Sequence, residues 1–552
     1  MKVSKSIPVP VPRLQSGPVR LPACLLACFL WTGGGIATAA EPEPVQVGKQ
    51  KQLFLDDRVV ESRRGVYSLV NQPLKYAGNP VLQMDRCWGA DMDFGHSNLI
   101  YDREEKTYKM WNQVVDYLWK ENLLGYYTSV NGIDWEAPAV GQFDFRSPFC
   151  RGRASREHNF VFGKPGGVRA PGVFKDPHEK DPAKRYKMLY RRPSLKPGQE
   201  GFHAETVKGG VWAAHSPDGI RWTNYPSPQV NPVYMNNDTH QVVFWDQARS
   251  RYVAHIRLWP PLFEGDSRFL AREGRVRAPG IATSPDFLKW DAPRGMKDPV
   301  EVNRPYLLIP PDERDAPCTG GFYTLECLPY ENQYVAFLTR YHICSGMEPG
   351  IPPVRGTART PWLDTVDIQL VASRDGRKWR RLGNGRPFLP VGSADTYDAG
   401  MVYMAQLPVV RRDLGEIWLY YIGYRKGHWA LPRGENEESS INLAKLRLDG
   451  FVSLTAGEGE FTTKPLVFDG ERLEINARTA GDEGRVTVEV LDASTGDPLA
   501  GFGREDCDAF QGNSIAHTVT WRNRRNLKDL AGEPVRLRFQ LRRAKIFAFQ
   551  FK

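Results

Sequence analysis

After its first forty residues the chain has no apolar run approaching twenty residues, the length a bilayer-crossing helix needs. Cysteine is scarce, with 8 in 552 residues, and Cys24 and Cys28 fall in the leader described below. The other six (Cys87, Cys150, Cys318, Cys327, Cys344 and Cys507) show no Cys-x-x-Cys pairing, which argues against a zinc site. A core of this size needs no disulfides. A pairing of Cys318 with Cys327 or Cys344 and a set of buried free thiols both stay open. Long basic runs are also missing. The formal charge of +10 falls to +6 once Lys2, Lys5, Arg13 and Arg20 leave with the leader. That excess is thinly spread, so nucleic acid is not an expected partner.

What the chain does have is aromatic residues and turn formers: 15 Trp, 22 Tyr, 51 Gly and 43 Pro. This mixture predicts many short strands joined by structured turns. Residues 1–40 read as a secretory signal, with a basic lead, the apolar stretch Leu21–Trp31 and the small residues Ala37-Thr38-Ala39. A lipidated Cys28 after Leu25-Leu26-Ala27 is the alternative. The expectation is an exported, periplasmic or extracellular protein, cleaved near Ala40, with no membrane segment and acting as a monomer.

One turn returns four times: Ser129-Val-Asn-Gly-Ile-Asp-Trp135, Ser216-Pro-Asp-Gly-Ile-Arg-Trp222, Ser284-Pro-Asp-Phe-Leu-Lys-Trp290 and Ser373-Arg-Asp-Gly-Arg-Lys-Trp379. The steps between tryptophans are 87, 68 and 89 residues, longer than WD40 or kelch units. Asn-Gly or Asp-Gly supplies the positive φ of a tight hairpin, and the indole begins the next strand. Before each turn come three short apolar runs, as in Ser97–Asp102, Tyr108–Asn112 and Leu124–Ser129. A fifth, divergent unit runs Met401–Met404, Ile417–Tyr421 and Ile441–Leu446, turning at Asp449-Gly450. Five such units predict an all-β, five-bladed β-propeller over residues 41–460, since a radial array hides its sheet edges. Gln52–Asp56 is expected to complete the last blade or otherwise close the ring. From Phe461 onward the pattern alternates with period two, as in Val486–Leu491 and Val535–Leu541, predicting a C-terminal β-sandwich over 461–552.

The Ser-x-Asp-Gly-x-x-Trp turns, the lead-in Leu53-Phe-Leu-Asp-Asp57 and the ending Leu537–Phe551 resemble secreted bacterial propellers related to glycoside hydrolase families 32 and 43. The resemblance implies an axial funnel lined by three carboxylates: a nucleophile or base, a general acid, and a third that orients the acid or stabilises the transition state. It also implies an oligo- or polysaccharide substrate. No cofactor is expected. A structural calcium ion on the axis comes only by analogy with that group.

Residues just before the first strand of each unit should crowd one mouth. On that ground Asp93 is the candidate base or nucleophile and Asp238 the general acid, with Glu157 or Glu326 as second candidate acids. Asp398 would orient substrate, and His240, His428, Arg169, Trp88 and Tyr323 would touch sugar hydroxyls or ring faces. Most of the 64 Asp and Glu hold turns or face solvent, which is the competing reading for each. Two functions lead at this point: a glycoside hydrolase, or a propeller that binds glycans without turning them over. Lyase or phosphorolytic chemistry stays open as a third class, because Arg169 and the Arg272–Arg277 stretch could hold an anion.

Overall fold

The computed structural model describes residues 43–83, 92–116, 121–146, 154–164, 167–192, 210–226, 240–260, 276–292, 304–315, 319–342, 365–427, 439–523 and 526–552. They are almost wholly strand and turn. The helical segments among them are single 3-10 turns such as Pro182–Lys184 and Glu313–Asp315.

The strands run as successive antiparallel meanders. The first contains Met92–Asp102, Thr107–Asp116 and Glu121–Ser129, with Phe160–Phe162 along its edge. The second contains Arg169–Lys175, Tyr186–Arg192, Gly210–Ser216 and Thr223–Asn224. The third contains Val242–Asp246, Arg251–Leu258 and Ala278–Ser284. The fourth contains Thr319–Tyr330, Gln333–His342, Val366–Ser373 and Arg380–Arg381. The fifth contains Met401–Met404, Glu416–Tyr424 and Ser440–Arg447.

The repeated turn has one chemistry throughout. The Asn131, Asp218, Asp286 and Asp375 Oδ1 atoms each accept the amides two and three residues on, at 2.7–2.9 Å. Each following residue is left-handed: Gly132, Gly219, Phe287 and Gly376 have φ of 76°, 81°, 68° and 56°. The strand after each indole is shorter than the sequence suggests. It is two residues long at Thr223–Asn224 and Arg380–Arg381, and a single bridge at Thr128↔Glu136 and Thr283↔Asp291. Pro138 and Pro293 lie two residues beyond the bridged acids and cannot donate to a ladder, which keeps these edges short.

Apolar clusters lie between consecutive meanders. Trp111 and Met188 share one cluster across the first and second, and Phe174 and Tyr252 share one across the second and third. Phe244 and Phe322 join the third to the fourth, Phe337 and Leu419 the fourth to the fifth, and Trp418 and Tyr108 the fifth back to the first. Each buried aromatic of this kind contributes about 2–3 kcal/mol of burial. Hydrogen bonds follow the same circuit. Gln241 N donates to Ala170 O (3.2 Å), Phe322 N to Arg277 O (3.0 Å), Val366 N to Gly400 O (3.3 Å) and Gln406 N to Ser97 O (2.9 Å).

The lead-in does not complete the fifth meander. Gln52–Leu53 pairs instead with Val535–Phe551, while Leu74–Lys75 and Leu82–Gln83 pair with Ser440–Arg447. Phe54 explains the difference, because its ring packs against Phe461 and Phe549 in the C-terminal core. That core belongs to one curled ten-stranded sheet built on the 17-residue strand Val535–Phe551. The strand pairs with Val452–Thr463 on one side, and with Arg485–Asp492 and then Leu473–Thr479 on the other. Its inward residues Leu537, Phe539, Leu541, Ile546 and Phe549 are buried, as the period-two pattern requires.

Candidate functional site

Two buried amides hold the beginnings of the first strands together. Asn98 Oδ1 accepts Val173 N (2.9 Å), and its Nδ2 donates to Pro171 O (3.0 Å). Gln406 Nε2 donates to Val243 O (2.7 Å), and its Oε1 accepts Val243 N (3.2 Å). Two side chains thus tie the first meander to the second and the fifth to the third. The approach is close enough that a Cβ on Gly172 would collide with Gln241 O.

His240 sits on this plug. Its Nε2 lies 2.9 Å from Asn98 Oδ1, an atom that can only accept, so Nε2 carries the proton. Nδ1 is then a bare lone pair, without a hydrogen-bond partner and 3.6 Å from Glu326 Oε1. Burial pushes His240 down to about 3 and Glu326 up to about 8. Near neutral pH burial therefore favours the uncharged form of both groups, the imidazole with its proton on Nε2 and the Glu326 carboxyl keeping its own. The other Glu326 oxygen accepts from Thr339 Oγ1 at 3.4 Å. His96 stacks on His240 with centroids 5.1 Å apart.

A second cluster is aromatic and cationic. Tyr323, three residues before Glu326 on the strand Thr319–Tyr330, packs against Tyr341 (5.5 Å) and Tyr403 (5.9 Å). The Arg277 guanidinium stands 4.7 Å from the Trp259 ring centre, 4.9 Å from Tyr323 and 5.6 Å from Tyr341. Arg257 approaches the same Trp259 and Tyr323 rings at 4.9 and 5.9 Å. On the opposite face of the neighbouring strand, Asp367 is held by Arg340 (3.0 and 3.1 Å) and His342 (2.9 Å). Burial acts against its ionisation, but those two partners outweigh it and keep the carboxyl below its usual range.

The sequence candidates divide as follows. Glu326 and His240 are brought together, 3.6 Å apart, and Tyr323 is buried elsewhere on the strand that carries Glu326. Arg169 begins the first strand of the second meander, half-buried, with its Nε lacking an acceptor. Glu157 is exposed. Asp398 is buried in a structural setting, accepting from Lys75 Nζ (2.6 Å), Tyr421 Oη (3.0 Å) and Thr396 Oγ1 (3.0 Å). Asp93 lies in the strand Met92–Asp102, but its side chain is outside the described residues, as are Asp238, Trp88 and His428. Cys327 is a buried free thiol, not a disulfide partner, and burial pushes it well above the usual thiol range. Cys318 and Cys344 are outside the described residues. Asn98, Gln406, Arg257, Trp259 and Tyr341 escaped the sequence reading. A signal did exist for Arg257, a charged residue near the end of the mostly apolar strand Arg251–Leu258. Among the described residues no group of three or more His, Cys, Asp or Glu is placed to hold a metal ion.

No family model matches the sequence, and no curated protein does. Among solved structures the chain is similar to a glycosyl hydrolase from Bacteroides ovatus, with 14% identity over 69% of this chain and 94% of that one, at a TM-score of 0.40. It is also similar to a structure from work on the GH130 family of mannoside phosphorylases and hydrolases of β-1,2 mannosidic linkages in Candida mannan. There the identity is 14%, coverage is 69% and 94%, and the TM-score is 0.39. A GH32 β-fructofuranosidase of Bombyx mori is 10% identical over 85% of this chain and 94% of that one, with a TM-score of 0.35. These values assign the chain neither a family nor an activity.

Proposed function

We propose that the five meanders form a five-bladed β-propeller, joined to a C-terminal β-sandwich, in an exported protein that acts on glycans as a glycoside hydrolase. Support for the ring is the circuit of apolar clusters and hydrogen bonds that runs from the first meander through the fifth and back. The observation that carries the activity is Glu326. Burial raises its carboxyl to about 8, which favours the neutral acid at pH 7, and it stands 3.6 Å from His240, whose imidazole rests on the Asn98 amide that ties the first two meanders together. In this reading Glu326 supplies the proton to the leaving oxygen, and Asp93 or Asp238 provides the ionised partner that glycoside cleavage requires.

The test is turnover of an aryl-glycoside panel by the wild type, Glu326→Gln and Asp238→Asn. Loss of a proton donor lowers kcat roughly 10²–10⁴-fold. Equal turnover by the wild type and Glu326→Gln removes Glu326 from the reaction. The second reading, glycan binding without turnover, is favoured by one feature: the described wall carries arginine, tyrosine and histidine around a single neutral acid. Tight binding of a glycan that is never cleaved would select it.

A further inference from the structure

The arginines of this protein fall into two groups. Arg340, Arg374, Arg381 and Arg411 each meet a carboxylate: Asp367, Asp56, Asp315 and Asp413 respectively. Arg277 does not. Its Nη1 donates to Gly320 O at 3.0 Å, its Nε is buried without an acceptor, and among the described residues no Asp or Glu lies within ion-pair distance. Three aromatic rings hold the guanidinium in place instead. Arg257 stacks on two of those same rings. Arginine is the cation whose planar fork matches a carboxylate through two parallel hydrogen bonds.

Resting on the glycan reading above, we propose that Arg277, backed by Trp259, Tyr323 and Tyr341 and reinforced by Arg257, is the seat of a sugar carboxylate, so that the ligand is an acidic, uronate-bearing glycan. The two components divide the recognition between them. The rings take the apolar face of the pyranose, and the guanidinium takes the charge at its edge.

The experiment is calorimetric binding of galacturonate, glucuronate and mannuronate oligosaccharides to the full chain, each alongside its carboxyl-reduced form. Arg277→Gln, Arg277→Lys and the exposed control Arg485→Gln are measured with the wild type, and inorganic phosphate and sulfate are run as separate ligands. We expect at least one acidic oligosaccharide to bind ten-fold or more tightly than its reduced form. Arg277→Gln should abolish that preference, Arg277→Lys should retain part of it, and Arg485→Gln should leave it intact. Equal binding of acidic and reduced forms by the wild type overturns the uronate seat and leaves the glycan reading standing, with no need of a variant that folds. Phosphate or sulfate binding that depends on Arg277, without any preference for uronates, assigns the seat to a free oxyanion and also overturns the proposal. Failure of every glycan to bind overturns both readings together.

Discussion

Tyr186 donates its hydroxyl proton to Asp102 Oδ2 at 2.7 Å, which stitches the start of one strand in the second meander to the end of the first strand of its predecessor. The stitch repeats one meander later, where Tyr252 donates to Asp176 (2.7 Å), and again where Tyr334 donates to Asp246 (2.9 Å). A cation completes each acceptor: Lys175 at Asp102, Lys187 at Asp176 and Arg249 at Asp246. Phenol and carboxylate satisfy each other in a dry site, and the lysine or arginine neutralises the charge.

The middle stitch gives the cleanest test. Tyr252→Phe removes one hydrogen bond to a charged group and should cost about 1.5–3 kcal/mol in urea unfolding. Asp176→Ala should cost more, because it unpairs the Tyr252 hydroxyl and removes one of the two carboxylates at the buried Lys187 ammonium, leaving Glu179 at 2.9 Å. If Asp176→Ala proves the milder change, the ion pair is not what joins these meanders.

The third turn carries Phe where its three counterparts carry Gly. Phe287 holds a left-handed φ of 68° and is wholly buried against Tyr252, Trp290 and Phe174. Phe287→Gly relieves about 1–2 kcal/mol of backbone strain but forfeits about 3–5 kcal/mol of packing. The variant should therefore lose stability overall, by roughly 2–3 kcal/mol. At Gly219 both terms point one way. The φ is 81°, and an added Cβ would press into the Trp111 ring, so Gly219→Ala should lower Tm with no compensation. Thermal unfolding of the two variants checks the pair, and a more stable Phe287→Gly would show that strain outweighs packing there.

The turn was legible in the sequence because its chemistry is local: one side-chain oxygen, two amides and a left-handed residue within seven positions. The strands before it were legible for the same reason. Closure of the fifth meander was not. Leu74–Lys75 and Leu82–Gln83 are two-residue strands beside Pro73 and Pro80, too short to show any period, whereas Gln52–Asp56 looks like a strand and became one in a different sheet. Of the candidate site, position relative to the first strands picked out His240 and Glu326, and the structure sets them 3.6 Å apart. Arg257 lies on a second strand and Trp259 just beyond it, and only the fold brings them to Arg277. For Asp398 the sequence did not show the partner, Lys75, from which its carboxylate accepts.

That contact supplies a further prediction. Asp398 anchors the Leu74–Lys75 strand to the fifth meander through Lys75 Nζ, so its loss should loosen the outer edge. Asp398→Ala should cost about 3–5 kcal/mol and expose residues 71–83 to limited proteolysis, while ligand affinity stays within two-fold. An Asp398→Asn protein of unchanged stability but weakened binding would return this carboxylate to the site.

Glu326 and His240 pull the pH dependence of stability in opposite directions. Burial raises Glu326 from 4.5 to about 8, so between those values the unfolded chain releases a proton that the folded chain keeps, and stability falls as pH rises. Burial lowers His240 from 6.5 to about 3, so between those values the unfolded chain binds the extra proton, and stability rises with pH. Between about pH 4.5 and 6.5 the two largely cancel, and below 4.5 only His240 acts. From 6.5 to 8 only Glu326 acts, at up to about 1.4 kcal/mol per pH unit. The wild type should therefore lose roughly 2 kcal/mol relative to Glu326→Gln across that interval, read as diverging urea midpoints at pH 6.5 and 8. Parallel midpoints would mean that Glu326 is already ionised at neutral pH, and a carboxylate in that state has no proton to give a leaving sugar.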